Sequence, residues 1–543
     1  MVNDAIPLEQ LRTRTQEVFG IRPCLWQLKV VQAILQGDKD IVTIAGTGMG
    51  KTLTFWMPLL FRPSGSVQIV VTPLNLIGRQ NVLSLERVGI RAICIFGDSA
   101  TAENFQVRTQ ILYHTLDNSQ LSKAIEALRY QVIITSPEQL MKAGGPWQRL
   151  LRSSHFSSMV ISIIFDEGRC IITWANFRND YGLVGHLPIL LPPGTPIVIA
   201  DATLPPTIFD DVKEILHFRK SDLLVFRESC DRPDISILVR PVLSTLATFR
   251  DLDFVLRDWK DGDAPPPKFL IFFDSINESV KATKHLKSLL PKQYHDKVNW
   301  YHSEMSATYK IEEYERYVKG ETWGLCATDS FGMVSATLLN ATAETDPRQG
   351  MDVKDIRLVV QWRLTCDPTT LWQRLGRAGR DRRTDVETTG VFLVEKEHFD
   401  DEKAKRAERT KKRKRKHVKG SLTLSSNRRN MATSSSTADD SIAPANPVSS
   451  TIDITVDASG SDNGSSDDDE FKMLQMKYSE NRDKGKKKRK VEVHPVMEDL
   501  VNATHRSLTC RRTPINAFLE NNKAGEWFPF LGDMKTITYK ELE

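Results

Sequence analysis

The residues best suited to chemistry form a glycine-rich turn that ends in lysine and threonine. The turn reads Ala45-Gly46-Thr47-Gly48-Met49-Gly50-Lys51-Thr52, and it lies between the apolar run Ile41–Ile44 and a helix-like segment, Leu53–Phe61. Strand, glycine-rich turn, Lys-Thr and helix is the context that makes a Walker A pattern a phosphate site. Backbone N–H groups and the helix dipole bind phosphate oxygens, Lys51 reaches the outer phosphates, and the Thr52 hydroxyl binds Mg²⁺. The sequence therefore predicts a nucleotide site.

A glutamine upstream of this turn is a candidate for contact with the base. Residues 1 to 40 have a helical apolar stripe, and Gln27 lies on a segment that could fold back over a bound nucleotide. Its amide offers both a donor and an acceptor, which suits the edge of adenine. Without the turn that follows, Gln27 would be an ordinary surface glutamine.

Between about residues 68 and 220, short apolar runs alternate with amphipathic helices. This pattern indicates a parallel sheet buried on both faces, in which ligands bind at the carboxyl ends of the strands. Asp166 and Glu167 follow one such run. Two carboxylates there can divide the work, with Asp166 holding Mg²⁺ beside Thr52 and Glu167 polarising the water that attacks a phosphate.

A second α/β unit begins near Arg232-Pro233 and has no Walker A turn of its own. It carries the segment Gln373–Asp381, in which Arg377 and Arg380 have the i and i+3 spacing of one helical face. A guanidinium neutralises charge on transferring phosphate oxygens, so both are candidate arginine fingers, with Gln373 beside the nucleotide. The alternative is a solvent-exposed basic helix.

Composition restricts the class of protein but not its activity. A net charge of +5 over 543 residues is a weak indication of polyanion binding. Seven cysteines occur without a C-x-x-C pair, which argues for a reducing compartment and against a disulfide framework or a closed zinc site. The N-terminus lacks the apolar core of a signal peptide, and no apolar run approaches the roughly 18 residues that span a bilayer. We therefore expect a soluble, intracellular protein without a membrane partner.

Taken in order, these segments resemble the motifs of RecQ-family DNA helicases from about residue 15 to residue 400. An aromatic-rich loop after Asp166-Glu167 is particular to that family. The matching segments are Phe19-Gly20 with Gln27, the Walker A turn, Val70–Leu74, Thr135–Glu138, Asp166-Glu167, Cys170–Trp174 with Phe177-Arg178, Asp231–Pro233, Tyr301–Ser303, Ala327–Met333 and Gln373–Asp381.

The resemblance implies an α/β fold of two tandem RecA-like lobes with parallel sheets, residues 1–219 and 220–400. It further implies ATP and Mg²⁺ in the cleft between them, single-stranded or forked DNA across the top, and movement from 3′ to 5′. ATP binding would close the cleft and hydrolysis would reopen it.

The resemblance also assigns DNA contacts. Trp174 and Phe177 would stack on bases while Arg178 meets phosphate, although Trp174 could instead be an ordinary aromatic of the lobe interface. The other expected contacts lie in the matching segments of both lobes: Thr72, Pro73, Ser136 and Thr328.

The chain departs from the family pattern within the cleft. The Asp-Glu-Ala-His box reads Asp166-Glu167-Gly168-Arg169, and the missing histidine normally links hydrolysis to DNA contact. The Ser/Thr-Ala-Thr motif reads Asp201-Ala202-Thr203, and Cys24 stands where an arginine is usual, with Arg22 as a substitute. Coupling is therefore in question more than ATP binding.

The largest departure interrupts a second-lobe motif. Removing Val334 to Gln349 would restore an unbroken Phe-Gly-Met-Gly-Met-Asp. Because a valine codon begins with GT and a glutamine codon can end with AG, we interpret the segment as a short intron translated in frame. The alternative is a real loop insertion, which would impair a segment meant to touch both DNA and ATP.

Beyond residue 400 the chain changes character. Residues 401–495 are poor in large apolar residues and are expected to be disordered, with basic clusters of the nuclear-import type at Lys411–Lys416 and Lys486–Val491. These clusters could also act as a basic arm that adds DNA affinity. Residues 496–543 resemble the start of the family's zinc module at Cys510-Arg511-Arg512, but no further cysteine follows, so no zinc is predicted.

The function favoured by the sequence is a nuclear ATP-dependent 3′–5′ DNA helicase of DNA repair or recombination, with a nuclear import receptor as a second partner. The alternatives are an impaired DNA-stimulated ATPase, an inactive nuclear DNA-binding protein, or an RNA helicase, which the Trp174-x-x-Phe177-Arg178 spacing argues against. The oligomeric state is left open.

Overall fold

The computed structural model describes residues 6–73, 75–95, 123–142, 145–175, 180–218, 223–331, 353–380, 387–412, 473–474, 477, 493–508, 510–523 and 527–529. The segment 334–349, Phe177, Arg178 and the basic clusters beyond residue 412 lie outside these ranges. Among the helices of the described ranges, none has the length and apolar character needed to cross a bilayer.

The first sheet has eight strands in the order β14-β7-β1-β6-β5-β2-β4-β3. All neighbours are parallel except β14, which runs antiparallel to β7. Central strands such as β2 are buried along their whole length, which explains their continuous apolar runs. The strands are β1 Asp40–Ile44, β2 Val67–Val71, β3 Ala92–Ile95, β4 Val132–Thr135, β5 Val160–Asp166, β6 Ile197–Asp201, β7 Leu223–Arg227 and β14 Trp527–Pro529.

The second sheet has six parallel strands in the order β10-β11-β9-β12-β13-β8. The strands are β8 Ile235–Val242, β9 Phe269–Phe272, β10 Val298–Tyr301, β11 Gly324–Ala327, β12 Leu358–Trp362 and β13 Thr388–Glu395. Two α/β lobes with parallel sheets were predicted, and this fold class is confirmed.

Helices connect the strands of each lobe. In the first lobe they are Leu8–Phe19, Leu25–Gln36, Leu53–Trp56, Asn75–Arg87, Pro137–Met141, Pro146–Arg152, Ser154–Ser157, Cys170–Thr173, Asp180–Leu183, Leu187–Leu190 and Pro206–Ile215. In the second lobe they are Ile276–Ser288, Ala307–Lys319 and Pro368–Leu375, followed by a helical stretch at 400–412. Two more, Pro495–Val501 and Thr513–Phe518, lie near the C-terminus.

Two local expectations need correction. The helical region predicted for residues 1 to 40 is two helices, because Gly20 adopts a left-handed conformation (φ 66°) that ends the first of them. The single helix predicted after the glycine-rich turn is α-helical only over Leu53–Trp56 and continues as a 3₁₀ helix over Met57–Phe61. Pro58 lies in that second part, where it cannot donate a backbone hydrogen bond.

The first sheet extends beyond residue 219, where the sequence analysis ended the first lobe. Strand β7 pairs with β1 from Asp40–Leu223 to Ile44–Arg227. The chain then crosses to the second sheet, whose first strand begins at Ile235. Residues 228–234 are therefore the crossing between the lobes.

The C-terminal segment, residues 493–529, contacts both lobes at this crossing. Its last strand pairs with β7, and Arg512 bonds to the carboxylate of Asp231 at 3.0 Å and to the carbonyl oxygen of Arg232 at 2.7 Å. Earlier in the same segment, Arg506 bonds to Asp400 of the second lobe at 2.7 Å. The segment that the sequence presented as a short remnant thus fastens the two lobes together.

Replacing Arg512 with alanine tests this fastening. The side chain is 16% exposed and also donates to the carbonyl oxygen of Ile235, so its loss leaves several acceptors without this donor. We expect a loss of about 2 kcal/mol in unfolding free energy, seen as a thermal midpoint lowered by about 4 °C.

The matched control is Arg406→Ala, because the Arg406 side chain is 78% exposed and its ion pair with Glu397 is 3.7 Å long. That change should leave the midpoint within ~1 °C of the unaltered chain. Equal midpoints for the two variants would contradict the fastening role of Arg512.

Candidate nucleotide site between the lobes

The carboxyl ends of three neighbouring strands bring the predicted catalytic residues together. Strands β1, β6 and β5 are adjacent, with Ile44 opposite Asp201 and Asp166 opposite Ala200. The glycine-rich turn therefore starts beside Asp201 and Asp166, although both residues lie more than a hundred positions after it in the sequence. This is the edge at which parallel sheets bind ligands.

The glycine-rich turn depends on the conformational freedom of two of its glycines. Gly48 and Gly50 both have φ of 82°, a left-handed conformation that favours glycine. The ammonium of Lys51 lies over the turn and donates to the carbonyl oxygens of Ala45 at 2.6 Å and Gly46 at 3.3 Å. The side chain of Lys51 thus folds back onto the backbone of the turn that precedes it.

Gln27 supports the turn directly. Its Nε2 donates to the carbonyl oxygen of Gly50 at 2.9 Å, and its Oε1 accepts from the backbone N–H of Cys24 at 2.7 Å. The residue is 4% exposed. Both ends of the amide are engaged within the protein here, so Gln27 joins the helix Leu25–Gln36 to the turn, and its contact with adenine stays a prediction.

The pKa values of Asp166 and Glu167 are shifted in opposite directions. Burial and the charge of Glu167 raise the pKa of Asp166 to about 7, against the opposing effect of Lys51. Burial also acts to raise the pKa of Glu167, but Arg169, Lys51 and Arg377 outweigh it and hold that pKa below its usual range. A divalent cation favours the ionised form of a carboxyl group in such surroundings, and the role of Asp166 as a Mg²⁺ ligand stays a prediction.

Arg169 lies at the centre of a network that crosses the cleft. Its guanidinium contacts Glu167, bonds to Asp201 Oδ1 at 3.0 Å and donates to Oε1 of Gln373 at 3.0 Å. Gln373 in turn donates from Nε2 to Thr203 Oγ1 at 2.9 Å. Gln373 belongs to the second lobe, so these bonds join the two lobes beside the predicted catalytic carboxylates.

The arginine-rich segment is arranged differently from the prediction. The helix Pro368–Leu375 ends before the two candidate fingers, so Arg377 and Arg380 do not share a helical face. The charge of Arg377 nonetheless contributes to lowering the pKa of Glu167, after the larger contributions of Arg169 and Lys51. Arg380 donates from Nε to the carbonyl oxygen of Gly376 at 3.2 Å.

Arg374 of the same segment has a structural role. It is 3% exposed and bonds to Asp329 at 2.8 Å, Gln361 at 2.8 Å and Asp274 at 2.6 Å. These partners hold the segment on the second sheet. The positions of the residues after it depend on that attachment.

A cleft between the lobes opens next to the glycine-rich turn. It encloses about 470 Å³ of empty space, part of it open to solvent. Gly46 and Thr47 line it from the first lobe, Arg232 lines it from the crossing, and Gln373 and Gly376 line it from the second lobe. Residues of both predicted nucleotide-binding segments therefore face one space.

The predicted nucleic-acid contacts differ in their surroundings. Thr72 and Ser136, at the ends of β2 and β4, are 1% and 3% exposed, so their side chains are buried in this structure. Trp174 is half-buried and packs against the larger apolar cluster, so neither the stacking role nor the lobe-interface alternative is decided. Thr328 bonds to the hydroxyl of Ser330 at 3.2 Å. All remain predictions as DNA contacts, as does Pro73.

Sequence reasoning missed two residues of the cleft. Asp201 was noticed only as a departure, although it is fully buried and bonds to Arg169. Trp372 was not considered, yet its indole N–H donates to the carbonyl oxygen of Cys230 at 2.8 Å and so joins the second lobe to the crossing. The sequence did contain one signal for the Arg169–Asp201 pair. Both residues depart from the family pattern, and their side chains carry opposite charges.

Comparison with known protein families agrees with this architecture. Residues 25–211 match the DEAD/DEAH box helicase family, and residues 252–382 match the helicase conserved C-terminal domain. The structure of the helicase MrfA bound to DNA and AMPPNP is similar in fold, with a TM-score of 0.52 and 13% identity over 74% of this chain and 52% of that chain. The two lobes and their cleft are those of a superfamily two helicase.

Individual relatives narrow the class. The chain is 24% identical over 368 residues to ATP-dependent DNA helicase Q-like 2 of Arabidopsis thaliana, covering 67% of this chain and 46% of the relative. It is 26% identical over 363 residues to the probable ATP-dependent DNA helicase RecS of Bacillus subtilis, covering 66% and 62%. The chain is thus similar, in the two matched family models and in these relatives, to RecQ-type helicases. It spans about half the length of the curated relatives it matches.

Proposed function

We propose that this protein is an ATP-dependent DNA helicase that moves from 3′ to 5′ on single-stranded DNA and unwinds forked duplexes. The observation that carries the proposal is the convergence of charges at the cleft. Lys51, Asp166 and Glu167 of the first lobe influence one another electrostatically, and Arg377 of the second lobe influences Glu167.

Each group has a role that its surroundings support. Lys51 and the backbone of the glycine-rich turn bind phosphate oxygens, and Arg377 contributes a fixed positive charge from the other lobe. Glu167 is kept ionised by its cationic neighbours, as a residue that accepts a proton from attacking water must be. Thr52 and Asp166 would hold Mg²⁺, which supplies further positive charge for the phosphates.

DNA is the proposed track because relatives named as DNA helicases match both lobes, and a DNA-bound helicase shares the fold. Repair or recombination is the proposed setting. The basic cluster Lys486–Val491 supports a nuclear location through an import receptor.

A fluorescent fusion of the full chain should concentrate in nuclei, and replacing the lysines of that cluster with alanine should disperse it. Equal nuclear signal from both fusions would contradict this role of the cluster.

The direct test of the motor is strand displacement with ATP on duplexes that carry either a 3′ or a 5′ single-stranded tail. We expect displacement from the 3′-tailed DNA only, and none from the matching RNA duplex. Glu167→Gln should slow displacement roughly 10²-fold or more, because it removes the proton acceptor while preserving side-chain size.

The control for this experiment is Glu9→Gln, since the Glu9 side chain is 74% exposed and does not line the cleft. It should displace the strand at the unaltered rate. Displacement that prefers the 5′ tail would overturn the direction, and equal rates for Glu167→Gln and the unaltered chain would overturn the role of Glu167.

The described residues that flank the segment 334–349 are well packed. Phe331 before it and Val353 after it are 1% and 3% exposed and belong to one apolar cluster. Phe331 packs edge-on against Tyr301 with ring centroids 5.4 Å apart. Both flanks of the segment are therefore anchored by their own packing.

We expect the chain lacking residues 334–349 to hydrolyse ATP in the presence of single-stranded DNA at least tenfold faster than the full chain, because the interrupted motif is restored. Steady-state ATPase assays of both forms measure this. Equal DNA-stimulated rates would identify the segment as a tolerated loop. Transcript sequencing decides separately whether it is a retained intron.

A further inference from the structure

Two departures from the family pattern contact each other in the folded protein. Arg169 replaces a histidine in the loop after β5, and Asp201 replaces a serine or threonine at the end of the neighbouring strand β6. The backbone N–H of Arg169 donates to Asp201 Oδ2 at 2.7 Å, and its Nη1 donates to Oδ1 at 3.0 Å. The two changes therefore form one ion pair.

A third departure fits the same strand. Gly168 occupies the position of an alanine in the family pattern, and a Cβ added there would lie 2.2 Å from Cγ2 of Ile199. Ile199 is fully buried on β6, two residues before Asp201. The loop after β5 and the end of β6 are thus matched to each other in shape as well as in charge.

Burial makes the pairing necessary. Asp201 is completely buried, and the Arg169 side chain is 17% exposed. A buried charge that loses its partner is costly, whereas a hydrogen-bonded pair is tolerated. Asp201 is further satisfied by the backbone N–H of Thr203 at 2.8 Å. Unrelated mutations accumulating in an inactive chain would have no reason to meet this condition.

The guanidinium fixed by Asp201 still has donors for two other partners. Nη1 also contacts Glu167, and Nη2 donates to Oε1 of Gln373 in the second lobe at 3.0 Å. Because the guanidinium is planar and rigid, a displacement of Gln373 is transmitted to the side that holds Glu167. Thr203, adjacent to the strand that carries Asp201, bonds to the other end of the Gln373 amide.

We propose that Arg169, anchored by Asp201, is a positioning residue through which the second lobe sets the orientation of Glu167. The pair takes over the coupling that the missing histidine would have provided. This inference rests on the proposed function, since it concerns the residue assigned to activate water for ATP hydrolysis.

A double-mutant cycle tests the proposal. Arg169→His, Asp201→Ser and the double variant are made in the full chain and in the form lacking residues 334–349. ATP hydrolysis is measured with and without single-stranded DNA, together with the thermal midpoint. Each single variant should lose at least tenfold in DNA-stimulated kcat with less than a twofold change in KM for ATP. The double variant should recover to within threefold of its parent.

The matched control is Arg316→His, because Arg316 also bridges two carboxylates, Asp296 at 2.8 Å and Glu313 at 3.2 Å, of which Glu313 is 2% exposed. Its loss should lower the thermal midpoint without changing the ratio of DNA-stimulated to basal hydrolysis. A purely structural role for Arg169 would give the same behaviour and would overturn the proposal.

Two further outcomes are decisive. Additive losses in the double variant, with active parents, would overturn the pairing while leaving the helicase function standing. No hydrolysis by either parent would overturn the proposed function, and this inference with it. The ATP hydrolysis rates of the two parent forms thus distinguish failure of this inference from failure of the proposed function.

Discussion

Three carboxylates, Asp166, Glu167 and Asp201, meet at the carboxyl ends of two neighbouring strands, and cations must neutralise them. Lys51 from the glycine-rich turn, Arg169 from the loop after β5 and Arg377 from the second lobe provide that charge. In an interior of low dielectric constant a carboxylate without a nearby cation is costly, and part of the neutralising charge comes from the second lobe. The geometry of the cleft therefore depends on the contact between the lobes.

The sequence predicted where the chemistry would lie, because chemistry of this kind depends on local patterns. A strand, a turn with glycines and a Lys-Thr pair can be read in order, and Gly48 and Gly50 of that turn are left-handed in the structure. Buried parallel strands were equally readable, since their apolar runs are continuous. The helix predicted through Arg377 and Arg380 was wrong because the segment leaves the helix after Leu375.

What the sequence could not provide depends on which strands are neighbours. Asp201 meets Arg169 only because β6 lies between β1 and β5, and strand order is not encoded in any local pattern. The C-terminal strand is a second example. Residues 527–529 pair with β7 across some three hundred residues of chain, and the Arg512 contacts at the crossing depend on that return. Neither feature was predictable by spacing.

A motor of this kind requires its two lobes to move when nucleotide binds. Pulsed EPR can measure the distance between spin labels at Glu126 and Lys284, exposed residues of the first and second lobes, after the exposed Cys24 and Cys510 are replaced with serine. A non-hydrolysable ATP analogue with Mg²⁺ and single-stranded DNA should shift the distance distribution to shorter values and narrow it. A distribution that is unchanged at saturating nucleotide and DNA would contradict the account.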